Sequence, residues 1–429
     1  MPDAKPLFTP AEAVVEANRC LYCHDAPCIA ACPTGIDVPT FIRRIANDDV
    51  NGAARTILSA NVLGYSCARV CPVEVLCEGA CVYNAWHRDP PILIGRLQRY
   101  ATESALRAGR SGALLSRAPA NGRRVACVGA GPASLACAAY LTLEGVAVTI
   151  YEKRPRAGGL NTSGVAPYKM PAEDALAEVE FVRSLGVEIR TGVEVVPGPT
   201  AEALVREFDA VFLGPGLGAD TKLGVPGEDG PGVLGAVDWI ERMKLRAGEQ
   251  LAGVQRAIVI GGGNTAIDVA RELAGLGVPS VTMLYRRSTK DMSGYAHELE
   301  HARLEGVVLA EKAVPVRFER DDRGALTGVA LQSGETHRCD FAVVAIGQAR
   351  LRRIADCFPG VRLDERGSLV ADAKTGATGH PKVFAGGDAM RGGELVVTAV
   401  QDGKRAARGI CAALGIEIRT GSPMRAGHE

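Results

Sequence analysis

Neither sign of charge is in excess in this chain: 49 lysines and arginines balance 49 aspartates and glutamates over 429 residues. A general binder of nucleic acid or of an anionic membrane surface would be basic, so neither partner is expected. Long apolar runs are missing too. No stretch approaches the ~20 residues that span a bilayer. The opening residues, MPDAKPLFTP, lack the apolar segment and cleavage site of a secretory signal, so a cytoplasmic protein is expected. Histidine is scarce, at 7 residues, and suggests no acid–base pair. At ~150 residues per domain, the length allows about three domains.

Cysteine is abundant by contrast, and it is crowded. Eight of the 13 cysteines lie between Cys20 and Cys81. Stable disulfides are not expected in a reducing compartment, so clustered thiols read as metal ligands. The spacing is Cys20-x2-Cys23-x4-Cys28-x3-Cys32-Pro33, then Cys67-x3-Cys71-Pro72, Cys77 and Cys81. Structural zinc sites use two short Cys-x2-4-Cys knuckles per ion, and only one Cys-x2-Cys occurs here. Thiols at short intervals ending in Cys-Pro resemble bacterial ferredoxin runs, although the x4 gap departs from them. Iron–sulfur clusters are the reading; zinc or free thiols are the alternative. Eight thiols make two sets of four, so spacing alone counts Cys67 as a ligand. The flanks read as helical. Thr9-Pro10-Ala11-Glu12 has capping-box spacing, and PTFIRRIANDD and GAARTILSAN carry apolar residues at helical intervals. Residues 1–112 are expected to form a small helical domain with little core of its own, stabilised by metal.

Residues 110–122, RSGALLSRAPANG, read as a linker. The chain then turns to RRVACVGAGPASLACAAYLTLEGVAVTIYEK, which is strand, glycine turn, helix and strand. The turn runs Gly129, Ala130, Gly131, Pro132, Ala133, Ser134. Its glycines permit a tight turn and the close approach of a pyrophosphate to the helix N-terminus. Ser134 stands in for the usual third glycine. Glu152 ends the second strand, where its carboxylate would accept hydrogen bonds from ribose hydroxyls. The pattern recurs in RAIVIGGGNTAIDVARELAGLGVPSVTMLYRRS, with Gly261, Gly263 and Ala266 at the motif positions. Here the second strand ends in Arg286-Arg287, which suits the 2′-phosphate of NADP; a solvated strand end is the alternative.

A third stretch, VFAGGDAMRGGELVVTAVQDGKRAARGI, places a strand before Gly386-Gly387-Asp388 and a helix after Glu394. It resembles the second flavin fingerprint of two-dinucleotide-binding flavoproteins. That likeness implies that Asp388 contacts the ribityl or phosphate region, that the first turn binds FAD, and that the second binds the nicotinamide nucleotide. The expected fold class is α/β: an all-helical 4Fe–4S domain, then two Rossmann-like domains with the NAD(P) domain inserted in the FAD domain. The expected spans are 1–112, 121–245 (FAD, first part), 250–375 (NAD(P)) and 376–429 (FAD, second part). Thioredoxin reductase-like members of this fold carry Cys-x-x-Cys in the nicotinamide domain, and nothing comparable follows Cys81. Cys127, Cys137, Cys339, Cys357 and Cys411 read as packed core. The electron outlet is then the N-terminal thiols, and the lack of a second flavin site or a proton donor points to a partner subunit.

Along nearly its whole length the chain resembles the N-terminal half of dihydropyrimidine dehydrogenase. The carrying segments are CLYCHDAPCIAACP, GYSCARVCP, LCEGAC, IGRLQRYATE, GAGPAS, YEKRPRAGGLNTSGVAPYKMP and VVAIGQ. In bacteria that half is a separate subunit, paired with an FMN-containing subunit that binds the pyrimidine. The resemblance implies two 4Fe–4S clusters. Cys20, Cys23, Cys28 and Cys81 would hold one; Cys32, Cys71, Cys77 and Gln98 would hold the other, with Cys67 unligated, against the reading from spacing. It implies flavin contacts by Gly129, Ala130, Gly131, Pro132, Ala133, Ser134, Glu152, Lys153, Gly159, Leu160 and Lys169, with Gly387 and Asp388. For NADP it implies Gly261, Gly263, Asn264, Thr265, Arg286, Arg287, Ala345, Ile346 and Gly347. Lys169 replaces a family arginine, and Ser293 replaces another. Bacterial relatives can use NADH, so NAD stays open beside the favoured NADP. The implied role is electron input to uracil or thymine reduction in a heterotetramer, with hydride chemistry borne by the cofactors. Two other readings remain: the small subunit of glutamate synthase, with the same cofactor order, and a non-enzymatic cluster-bearing scaffold or sensor.

Overall fold

The N-terminal sequence signals become helix ends in the computed structural model, which describes residues 3–86, 90–109, 111–245 and 251–427. The helix Pro10–Ala17 starts at Thr9, whose hydroxyl accepts from the Glu12 N–H while Glu12 accepts from the Thr9 N–H. Asp37 and Asp49 cap the helices Val38–Ala46 and Val50–Ala60. With Gly64–Val70 and Ile94–Arg107 these helices enclose Phe8, Phe41, Ile42, Ile45, Ile57 and Leu97. The expectation of little core is therefore corrected. Each helix is short, but their apolar faces converge on one centre.

Five strands form the first sheet: β1 (Arg124–Val128), β2 (Ala147–Glu152), β3 (Glu188–Thr191), β4 (Ala210–Leu213) and β13 (Val383–Ala385). All pair in parallel, in the order β13-β4-β1-β2-β3. The apolar helix Pro132–Leu143 covers this sheet, and the helix Val396–Ala413 packs on that helix. Cys127, Cys137 and Cys411 are packed here, as expected; Cys339 and Cys357 are buried elsewhere.

A second parallel sheet comprises β5 (Val233–Gly235), β6 (Arg256–Ile260), β7 (Ser280–Tyr285), β8 (Val308–Glu311) and β12 (Phe341–Val344), in the order β5-β12-β6-β7-β8. The antiparallel strands β9 (Pro315–Arg320), β10 (Leu326–Leu331) and β11 (Thr336–Arg338) form a three-stranded meander. The chain divides into two units. Residues 162–172 and 218–349 form one; 4–161, 173–217 and 350–429 form the other. The boundaries expected at 245 and 375 shift accordingly. Val233 pairs with Ala342, which draws β5 into the second parallel sheet, while Leu369 bonds to Ala389 in the unit that holds the first sheet. No helix among the described residues is long and apolar enough to cross a membrane.

Candidate functional site

β1 delivers Gly129 at φ +87°, where an added Cβ would lie 2.6 Å from Gly214 O and 2.8 Å from Pro215 Cα. Only glycine accepts both the dihedral and the neighbouring backbone. Gly131 is the N-cap of the helix Pro132–Leu143 and offers no side-chain cap, so the first-turn N–H groups stay available to an anion. Glu152 is fixed at both carboxylate oxygens: Ala130 N–H donates at 2.7 Å and Arg154 N–H at 2.8 Å. Beside the turn lies a cavity of about 340 Å³, lined by Gly129, Glu152, Lys153, Pro215 and the segment 350–354. Ser134 fills the third glycine's place, its Oγ 3.5 Å from Gly214 O. Gly158 N–H donates to Ala130 O, Gly159 lies against Gly131, and Leu160 opens a short helix. Gly387 approaches Ala133 from the other side. Asp388 follows it; burial pushes its carboxyl above the ordinary value, and Oδ1 accepts from Glu394 N–H at 3.0 Å. Lys169 belongs to the other unit, where its Nζ is 2.7 Å from both Asp268 and Glu298.

In the unit of the second parallel sheet, Gly261 leaves β6 at φ +150°, and a Cβ there would strike Ala345 O. Gly263 caps the helix Asn264–Gly275, and Asn264 Oδ1 accepts from Tyr295 N–H at 2.9 Å. A cavity of about 510 Å³ opens along this turn. Gly261, Gly263, Thr265, Arg286, Arg287, Ala345, Ile346 and Gly347 line it, as does Ser293. Arg287 lies over the Tyr285 ring at 5.7 Å, and among the described residues neither arginine has a carboxylate partner. Asp220, missed from sequence, also lines the cavity; its carboxylate accepts from Val237 and Asp238 N–H. The signal was not local: the acid sits well before the helix it caps.

Cys20, Cys23, Cys28 and Cys81 line one cavity with apolar Val38, Ile42, Ile92 and Ile94. Burial pushes the Cys20 thiol up and the Cys28 thiol up to about 12, with Cys81 a neighbour of both. Such thiols stay protonated near neutral pH, and a bound cation would favour their thiolate forms. Cys32, Cys71 and Cys77 form a second group, in which burial first, and then nearby charges including Cys32 and Cys71, push Cys77 up. Gln98 is buried on the helix Ile94–Arg107. Its Nε2 donates to Gly64 O at 2.6 Å, which fixes the amide and leaves its carbonyl end as the remaining polar group. Cys67 is buried one turn before Cys71. Asn61 Nδ2 donates to its Sγ at 3.2 Å, and a hydrogen bond with Cys71 raises Cys67 and lowers Cys71. Among the described residues no three His, Cys, Asp or Glu side chains converge on a single metal ion. A multi-iron cluster spreads its sulfurs more widely than one zinc ion does.

Two parallel-sheet nucleotide folds, each with a glycine turn opening a helix, and a thiol-rich helical segment define a pyridine-nucleotide-dependent flavoprotein oxidoreductase with an iron–sulfur domain. Residues 123–403 match the family described as pyridine nucleotide-disulphide oxidoreductase, and residues 1–110 match dihydropyrimidine dehydrogenase domain II, 4Fe-4S cluster. The chain belongs to the pyridine nucleotide-disulphide oxidoreductase family, in a form that carries this iron–sulfur domain. It is similar to the NAD-dependent dihydropyrimidine dehydrogenase subunit PreT of Escherichia coli (strain K12), at 37% identity over 406 residues, 94% of this chain and 95% of that one. It is also similar to the glutamate synthase [NADPH] small chain of the same strain, at 31% identity over 94% of this chain and 92% of that one. Among solved structures, T. acidophilum thioredoxin reductase shares the fold, with a TM-score of 0.56 and 24% identity over 68% of this chain and 98% of that one.

Proposed function

We propose that the chain is the electron-input subunit of a dihydropyrimidine dehydrogenase, paired in a heterotetramer with an FMN-containing subunit that reduces uracil or thymine to the 5,6-dihydropyrimidine. When bound, FAD takes a hydride from NAD(P)H and releases electrons singly, and two 4Fe–4S clusters carry them one at a time. The residues supply positions for these groups. The helix N-terminus after Gly131 would hold the FAD pyrophosphate, Glu152 a ribose, and Gly387 with Asp388 the ribityl or phosphate region. Gly261, Gly263, Asn264 and Thr265 would hold the nicotinamide dinucleotide, with Ala345 to Gly347 beside it. Arg286 and Arg287 would hold a 2′-phosphate, which favours NADP over NAD. Cys20, Cys23, Cys28 and Cys81 would ligate one cluster. Cys32, Cys71, Cys77 and Gln98 would ligate the other. We leave Lys169 out of the flavin set because Asp268 and Glu298 already hold it.

One observation carries the reading: both thiol groups lie in the same compact unit as the flavin turn. The iron–sulfur profile and the "DAPC" and "IGRLQ" segments favour a pyrimidine-reducing assembly over glutamate synthase. Anaerobically purified protein is expected to contain flavin, iron and sulfide, and to reduce uracil with NAD(P)H only when mixed with an FMN-containing pyrimidine-binding protein. Zinc in place of iron and sulfide would sink the electron-input role. Dye reduction without uracil reduction would leave the input role and remove the pyrimidine assignment.

A further inference from the structure

Lys404 is buried at 0% exposure on the helix Val396–Ala413. Its Nζ donates to Ala60 O at 3.1 Å and to Ala426 O, and lies 5.0 Å from the centre of the Tyr140 ring. The Tyr140 hydroxyl donates to the same Ala60 carbonyl at 2.8 Å. Every one of these partners is neutral, and among the described residues no carboxylate pairs with the ammonium. The charged neighbour on its own helix, Arg408, has the same sign and holds Met424 O at 2.9 Å. Burial first, and then Arg408, pull the lysine down to about 7. A buried cation without a counter-charge is unfavourable, and nothing in the polypeptide's carboxylates relieves it.

Of the proposed cluster ligands, Cys32 is the one that acts on this lysine, in the sense that favours its charge. The C-terminal tail bridges the two. Lys404 holds Ala426, the next residue, Gly427, packs its backbone on Thr34 O, and the Thr34 hydroxyl lies 3.3 Å from Cys32 Sγ. We infer that Lys404 is the built-in counter-charge of the iron–sulfur centre ligated by Cys32 and that it raises the reduction potential of that centre. The inference rests on the proposed assignment of Cys32 as a cluster ligand. Reduction adds a negative charge to a centre in a weakly screened interior, so a buried ammonium beside it favours the reduced form, and the centre's own negative charge in turn favours the protonated lysine. It acts through the field alone, as a positioning and tuning residue that donates no ligand.

The test is an anaerobic redox titration of the full-length protein, followed by electron paramagnetic resonance, on wild type, Lys404→Met, Lys404→Gln and Lys404→Arg. In the neutral variants one of the two centres should be less reduced at a fixed potential by on the order of tenfold, equivalent to 59 mV for one electron. The other centre should not move, and Lys404→Arg should titrate like wild type. Full iron with both midpoints unchanged in Lys404→Met or Lys404→Gln overturns the inference. Loss of iron from both neutral variants with retention in Lys404→Arg supports it; loss from all three assigns the lysine to packing and overturns it. Zinc in the wild type would defeat the proposed function instead, before any variant is made.

Discussion

Replacing Gly129 with alanine isolates the close approach at the turn proposed to hold the flavin nucleotide. Two costs arise together. A φ of +87° puts alanine in the left-handed half of the map, at about 1–2 kcal/mol. The new Cβ would also stand 2.6 Å from Gly214 O and 2.8 Å from Pro215 Cα. Both are backbone atoms that cannot rotate aside, and forcing such a shift costs about 1–3 kcal/mol. The sum is about 2–5 kcal/mol. If the loop relieves it by leaving its dinucleotide-binding shape, FAD affinity falls by roughly thirtyfold to several thousandfold, at 1.4 kcal/mol per factor of ten. Gly122→Ala is the control: its φ is +78°, but nothing lies within 4 Å of the new Cβ. It bears the dihedral cost without the collision. The flavin-to-protein absorbance ratio after desalting, followed by FAD titration of the stripped proteins, reads the difference. A Gly129→Ala protein that retains FAD as tightly as Gly122→Ala would refute the argument.

Truncating Arg286 and Arg287 together to alanine should lower kcat/KM for NADPH by roughly a hundredfold or more, since charged hydrogen bonds contribute about 1.5–3 kcal/mol each. NADH kinetics should hold, and a wild type that strongly prefers NADH defeats the arginine reading. Cys67→Ala should leave iron, sulfide and the paramagnetic spectrum intact, because that thiol already bonds to Asn61 and Cys71; loss of one cluster would exchange the roles of Cys67 and Gln98. Glu178 is buried and accepts from Tyr65 N–H at 2.8 Å and Ser66 N–H at 3.0 Å, yet burial pushes its carboxyl from 4.5 up to about 7. The neutral acid thus contributes stability that is present below 4.5 and lost as pH rises through about 7, on the order of 3 kcal/mol in all. Glu178→Gln is neutral throughout, so denaturation midpoints measured from about pH 5 to about pH 8 should drift in the variant's favour; a pH-independent difference contradicts this.

The two glycine turns were legible because a dinucleotide turn is a local problem. Strand end, glycines, helix start and the residue closing the next strand all fall within one continuous stretch. The Thr9 capping box was legible for the same reason. β5 was not. Three residues carry no pattern of their own, and Val233–Gly235 become a strand only because β12 arrives beside them much later in the chain. The thiols show the same limit. Spacing gave two sets of four, but the grouping of Cys81 with Cys20, Cys23 and Cys28 required the resemblance, since a distant contact leaves no local mark. Lys404 was hidden more thoroughly. It stands in VQDGKRAARG, which reads as the solvated face of an amphipathic helix, yet Gln401, Asp402 and Lys404 are all buried. A further layer covers that face, and sequence periodicity reports only one buried side per helix.

That layer is the thiol-bearing domain itself, and the way it is attached bears on electron transfer. Tyr140 from the helix Pro132–Leu143 holds Ala60 O. Glu178 caps the start of Gly64–Val70 from outside, Asn161 Nδ2 donates to Ser66 Oγ at 2.9 Å, and Arg69 pairs with Asp174 at 3.2 Å. Each bond joins a residue of the first nucleotide-fold domain to the helix Val50–Ala60 or the helix Gly64–Val70, and the second of these ends at Cys71. Buried polar contacts contribute little net stability when complete and cost much when broken, so they act mainly by excluding other arrangements. A flexible tether between residues 110 and 122 would let the thiols wander. The contacts on these two helices hold the segment that leads into Cys71 in one arrangement against the domain that carries Gly129, as the proposed chain of one-electron steps would require.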